Sequence, residues 1–145
     1  MCGICGKFAY YNGENVREDL LRKMMAVMSH RGPDDDGVYL EGRLGLGHKR
    51  LSIIDLSPLG HQPMTNEDKT VWVIFNGEIY NYKELRTELL IRGHTFASQS
   101  DTEVIVHAYE EFGEECFKKF NGMFAIGIWD GKSRKLVLAR DRVGV

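Results

Sequence analysis

The sequence predicts an α+β domain, with sheets that carry helices packed against them. Three observations predict it. Continuous apolar runs over residues 71–75 and 123–129 read as buried strands, the first buried on both faces. The pairs Asn15 with Glu18, Asn81 with Glu84 and Ser100 with Glu103 have the spacing of helix starts. The elements run strand, helix, several strands, two helices, hairpin, which is not the regular alternation of a doubly wound sheet.

The first strand is expected over residues 3–10, closed by a turn at Asn12-Gly13. The helix opened by Asn15 and Glu18 has an apolar stripe of Val16, Leu20, Met24, Val27 and Met28. Pro33 sets its latest end. Short strands follow at 38–40 and 44–48 around Gly42. Pro58, Gly60 and Pro63 mark residues 55–65 as a loop. Past the run at 71–75, a second helix starts at Asn81, with Tyr82, Leu85 and Leu89 inward and Gly93 beyond its end. Ser100 and Glu103 cap a third helix over 101–111. Gly113 interrupts it, and 114–120 reads as a turn or short helix. Asp130-Gly131 turns the strand at 123–129 into a last strand at 135–139.

The 145 residues suit one domain, large enough for a core without staples. A net charge of −2 argues against nucleic acid or an anionic membrane as main partner. No apolar run reaches the ~18 residues of a membrane-spanning helix. The N-terminus lacks the basic stretch and apolar block of a signal peptide. Three cysteines, Cys2, Cys5 and Cys116, are too few and scattered for a disulfide framework, so a cytoplasmic location is expected.

Cys2 directly follows Met1 and has a small side chain, so removal of Met1 is sterically permitted. One residue would then carry a thiol and a free α-amine. An α-amine titrates near ~8 and a free thiol near ~8.5, so such an amine can serve as base for its own thiol. On position alone Cys2 need have no chemistry. Cys2 and Cys5 also share CxxC spacing, which offers a redox pair or half a zinc site. On a strand, residues three apart face opposite sides, and Cys116 and the five histidines provide no second pair at ligand spacing, so no metal is expected. Cys5 reads as a small core residue.

Asn76-Gly77-Glu78 follows the buried run. Taken alone it reads as a common turn; the alternative is an amide and a glycine N–H placed to hold an oxyanion. Arg50 is either a surface residue or a bidentate partner for a carboxylate. Asp101 is favoured at a helix start by the dipole and also suits an ammonium. Asp34-Asp35-Asp36 reads as a solvated loop rather than a metal cluster. His30 suits a helix C-terminus with no catalytic role.

Six segments together resemble the glutaminase domain of asparagine synthetases, a class II glutamine amidotransferase of the N-terminal nucleophile hydrolase type. They are Met1-Cys2-Gly3-Ile4, His30-Arg31-Gly32-Pro33-Asp34, the run from Gly47 to Asp55, the run from Phe75 to Tyr82, Ser100-Asp101-Thr102-Glu103, and the run from Ala139 to Gly144. The resemblance covers residues 1–145 and implies a four-layer αββα sandwich. It implies Cys2 as nucleophile once Met1 is gone, and Asn76 and Gly77 as the oxyanion hole. It assigns Arg50 to the α-carboxylate of L-glutamine, and Glu78 and Asp101 to its α-ammonium, with Leu51, Ile53 and Ile54 lining the site. No cofactor is implied for this domain; ATP and magnesium belong to the family's synthetase domain, which is absent here along with any pyrophosphate-wrapping Ser-Gly-Gly stretch. That domain or subunit is the implied partner and ammonia acceptor, with a homodimer allowed. The family's domain continues past residue 145 with further strands, so the chain is expected to be C-terminally truncated. Alternatives are a glutamine-binding module that retains Met1 and turns nothing over, or the glutaminase of another amidotransferase branch.

Overall fold

In the computed structural model, which describes residues 1–11 and 13–144, two antiparallel sheets stack between helices. The first has the order β1-β3-β2, from β1 (Gly3–Phe8), β2 (Asp35–Glu41) and β3 (Leu44–Arg50). The second runs in chain order through β4 (Met64–Thr65), β5 (Val71–Ile79), β6 (Gly122–Asp130) and β7 (Lys135–Arg140). Helix α1 (Glu18–Ala26) packs on the first sheet. Helices α2 (Tyr82–Ile91) and α3 (Asp101–Phe112) cover the second. The fold is therefore the α+β sandwich of four layers. Among the described residues no helix is long and apolar enough to cross a membrane.

Strand alternation explains why β5 is apolar on both faces. Val73 and Phe75 face the helices and pack with Leu85, Leu89, Val104 and Ile105. Ile74 faces the other sheet and packs with Leu44, Leu46 and Trp129. Strand β3 divides likewise: Leu44 and Leu46 point between the sheets, while Gly45 and Gly47 form a groove beneath α1. A Cβ at Gly45 would stand 2.5 Å from Leu21 Cδ1, and one at Gly47 would stand 2.9 Å from Met25 Sδ.

That groove corrects the expected register of α1. Leu21 and Met25 are its buried residues, Leu20 and Met24 are only half-buried, and Val27 is exposed. Leu20-Leu21 and Met24-Met25 are adjacent apolar pairs, so two stripes satisfy the same periodicity. Glycines on the neighbouring strand decide between them. The helix also starts later than expected, at Glu18, and its N-cap Arg17 makes no side-chain capping bond.

Other differences are local. Strand β1 ends at Phe8, and the turn expected at Asn12-Gly13 lies partly outside the described residues. The 55–65 segment contains a 3₁₀ turn at Pro58–Gly60 and the short strand β4. Asp35 and Asp36 begin β2 rather than sitting in a loop, and Asp36 bridges Arg22 and Lys49. Beyond Gly113 the chain makes a 3₁₀ helix, Gly113–Lys118.

Filling the glycine groove should be costly. Gly45→Val is expected to destabilise the domain by about 1–3 kcal/mol through overpacking against Leu21, measured by urea unfolding.

Candidate active site

A cavity of about 90 Å³ opens at the ends of β1, β3 and β5, beside the start of α3. Cys2 lines it from just before β1, Arg50 from β3 and Asp101 from α3, and Asn76, Gly77 and Glu78 line it from β5. Leu51, Ile53 and Ile54 complete its wall from the loop after β3. The structure thus brings every sequence-predicted site residue to one place.

Cys2 stands just before β1, and its Sγ accepts a hydrogen bond from the Leu51 N–H at 3.3 Å. Strand parity separates the two N-terminal cysteines as expected. Gly3 and Cys5 face α1: a Cβ on Gly3 would meet Met28 Cβ at 3.1 Å, and Cys5 Sγ lies against Gly47. Burial pushes the Cys5 thiol up, and that of Cys116 to about 12, so both are poor nucleophiles. Arg31 Nε donates to the Cys2 carbonyl at 3.1 Å and fixes the N-terminal backbone. Gly32 lets this segment lie flat on β3, because a Cβ there would stand 2.3 Å from the Lys49 carbonyl carbon.

Asn76-Gly77 is not a turn. Both residues lie within β5, which continues to Ile79 and pairs with β6 as far as Gly122. A Cβ on Gly77 would stand 2.1 Å from the Met123 carbonyl oxygen, and its φ of 155° also favours glycine. The direction of its N–H follows from its partner. Gly77 pairs with Phe124, whose own N–H and C=O bond to Asp141 on the far side, at 3.0 and 2.9 Å. The Gly77–Phe124 pair is therefore of the type without ladder bonds, and the Gly77 N–H points to the opposite edge of β5. On that edge β4 pairs only with Trp72 and Val73, so the N–H faces the cavity. The Asn76 side chain projects between the sheets with Ile74. Its buried Oδ1 has no hydrogen-bond partner among the described residues.

Arg50 is buried, with Nη1 donating to Ser57 O at 3.0 Å and Nη2 donating to Asp55 O. Two of its five N–H donors are spent this way, which fixes the loop around the guanidinium. Gly60 makes the approach possible, since a Cβ there would stand 2.2 Å from Arg50 Nη2. Across the cavity Asp101 accepts from the Ile79 N–H at 3.1 Å, through one oxygen, Oδ2.

A family model described as glutamine amidotransferase domain matches residues 1–145. The chain belongs to that family. It is 46% identical over 147 residues to asparagine synthetase [glutamine-hydrolyzing] 1 of Bacillus subtilis, covering all of this chain and 23% of that protein. It is 41% identical to asparagine synthetase [glutamine-hydrolyzing] 2 of Arabidopsis thaliana, covering 25% of it. A putative asparagine synthetase of Methanocaldococcus jannaschii is 40% identical, with 31% of its length covered. The chain thus spans about a quarter to a third of these curated relatives. Among solved structures, the glutamine phosphoribosylpyrophosphate amidotransferase from B. subtilis superposes with a TM-score of 0.81. That match has 18% identity and covers 99% of this chain and 38% of the other, so it speaks for the fold.

In the amidotransferase domain Asp101 is held away from its ordinary value. Burial raises the Asp101 carboxyl to about 6, and the neighbouring Glu78 charge adds to the rise. A carboxylate so placed gains most from an arriving cation. The loop before it is held by Glu103, which accepts from the Ala97 and Ser98 N–H groups, each at 2.7 Å. The expected capping box is therefore half formed: Ser100 Oγ caps the Thr102 N–H, but Glu103 serves the preceding loop.

Sequence reasoning missed two residues that aim the Asn76-Gly77 pair. Gln62 Oε1 accepts the Phe75 N–H at 2.7 Å, and its Nε2 donates to Thr102 Oγ1 at 3.1 Å. Fully buried His48 bonds through Nε2 to the Phe75 carbonyl at 3.1 Å. A carbonyl only accepts, so Nε2 carries the proton. The available signal was a polar residue beside a proline and a histidine in an apolar strand, neither with an obvious partner along the chain. Burial pushes His48 down to about 4. Long-range ¹⁵N–¹H correlation spectra should show a neutral Nε2–H tautomer at pH 6 and a midpoint near about 4.

Proposed function

We propose that this domain hydrolyses glutamine to glutamate and ammonia through a thioester on Cys2. The observation that carries the reading is the cavity itself. It gathers a thiol, two amide groups, a guanidinium and a carboxylate in a space suited to one amino acid. Arg50 and Asp101 match the two charges of an α-amino acid, and the side-chain amide is then left beside Cys2 and the Asn76-Gly77 donors.

The chemistry starts when Met1 is removed, because only then does Cys2 have a free α-amine. That amine takes the thiol proton, and Sγ attacks the amide carbon. Negative charge moves to the amide oxygen, which accepts hydrogen bonds from the Asn76 side-chain N–H and the Gly77 N–H. Collapse breaks the C–N bond, and the α-ammonium returns its proton to the leaving nitrogen, releasing ammonia. Water then gives a proton to the amine and attacks the thioester. The second collapse expels the Cys2 thiolate and yields glutamate. The net reaction consumes one water for each ammonia released.

The longer relatives are named as glutamine-hydrolysing asparagine synthetases, and this supports aspartate as the final acceptor in the whole protein. ATP and magnesium would act in the synthetase part that receives the ammonia. The cytoplasm is the proposed location.

Intact mass should show a mature chain beginning at Cys2, and a coupled assay should show glutamate released from glutamine. Cys2→Ala is expected to abolish turnover; activity surviving that change overturns the nucleophile assignment. Asp101 sets a second expectation. The glutamine ammonium keeps its charge throughout, whereas Asp101 loses its charge as pH falls through about 6. The attraction is therefore present above that pH and lost below it. The kcat/KM profile should show an acidic limb near about 6, a value of the free enzyme. Asp101→Asn should remove this limb and raise KM about 30-fold or more, from ~2 kcal/mol or more of lost pairing.

A further inference from the structure

We propose that His94, His107 and Glu110 form a binding site for a divalent transition metal of the zinc class, on the outer helical layer. Their ligand atoms lie within 4.8 Å of one another. His107 Nδ1 is 2.9 Å from Glu110 Oε2, and His94 Nδ1 is 4.0 Å from the same oxygen. Two imidazoles and one carboxylate are a zinc ligand set that leaves a fourth position for water. Closing the three atoms to bonding distance asks for side-chain shifts of about an ångström, against metal–ligand bonds of about 2.0–2.2 Å.

What separates this cluster from a chance gathering of charges is how its outer atoms are held. Each ligand has its second polar atom held by, or facing, another side chain, so the first is aimed inward. Glu110 Oε1 accepts from Asn66 Nδ2 at 2.8 Å. His94 Nε2 faces Glu111 Oε2 at 3.1 Å, and Arg92 steadies the other Glu111 oxygen at 3.0 Å. His107 Nε2 faces Glu103 Oε1 at 3.8 Å. For His94 the Glu111 carboxylate on Nε2 fixes the tautomer that leaves Nδ1 to ligate, the usual outer arrangement of a metal-bound histidine, while His107 Nδ1 would exchange its contact with Glu110 for the metal. The Phe96 ring stands edge-on to His107 at 4.7 Å and restricts its rotation.

The fold builds the site from two elements. Gly93, at φ 99°, reverses the chain after α2, and the His94 N–H bonds back to the Leu89 carbonyl at 3.0 Å. This carries His94 over the face of α3 that holds His107 and Glu110. Ligand spacing along the sequence could not reveal the pair, because only the α2–α3 packing brings the two histidines together. A bound metal would tie the helices to each other.

The test is a titration of tag-free protein with Zn²⁺ alone, in a Cys2→Ser background so that an N-terminal thiol cannot chelate. One ion per chain should bind, the melting temperature should rise by several degrees, and Co²⁺ should give visible absorption of a low-coordinate site. His94→Gln and Glu110→Gln change groups that are not fully buried, so both variants should keep the native circular dichroism. Each should weaken binding at least about tenfold. His30→Gln and His61→Gln should leave it unchanged. No stoichiometric binding, or equal affinity in the His94 and Glu110 variants, overturns the proposal and leaves His107 as an imidazolium paired with carboxylates.

Discussion

The backbone of Phe75 points its N–H and C=O at the edge of β5 beyond the reach of the short β4, and side chains from two other segments answer them. Gln62 accepts from the N–H and His48 donates to the carbonyl. Either group left bare inside the protein would cost about 1–3 kcal/mol. Because Gln62 also bonds Thr102, this one residue joins the loop before β4 to strand β5 of the second sheet and to the start of α3. The joint keeps β5 extended past Phe75. Asn76 and Gly77 then reach the cavity on a rigid strand, where positioned donors are worth more than donors on a flexible loop.

The charges of the cavity follow a related logic. Arg50 is solvated by backbone carbonyls, so its burial is compensated before any ligand arrives. Asp101 is compensated only in part: backbone N–H groups such as that of Ile79 bond it, yet burial, with Glu78 nearby, pushes its carboxyl up to about 6. A cationic group beside Asp101 therefore offsets a burial cost that the backbone bonds leave in place. An amino acid satisfies both ends at once, a bare amide neither.

Much of this was legible in the sequence where a signal depends on one element alone. The apolar runs at 71–75 and 123–129 became β5 and β6 because burial on both faces leaves no polar position to confuse the pattern. Cys2, Arg50 and Asp101 each had an ordinary reading alone and gained their roles from the six segments taken together. What depended on two elements was hidden. Leu21 and Met25 won over Leu20 and Met24 because Gly45 and Gly47 lie opposite them. Asn76-Gly77 carries a strong local turn signal, overridden by the ladder with β6. Gln62 and His48 have roles only because β4 is short, which no local pattern announces.

The two-residue length of β4 has a price that becomes visible at Gly77. Sheets ordinarily gain by extending an edge strand until each inner N–H has a carbonyl opposite. Had β4 run on along β5, it would have claimed the Gly77 N–H for the ladder. The molecule would have been better sheeted and the proposed oxyanion hole would have lost a donor. Selection for thermal robustness and selection for turnover thus compete at a single amide, and stabilising redesign of this edge is the change most apt to yield a sturdy, silent protein.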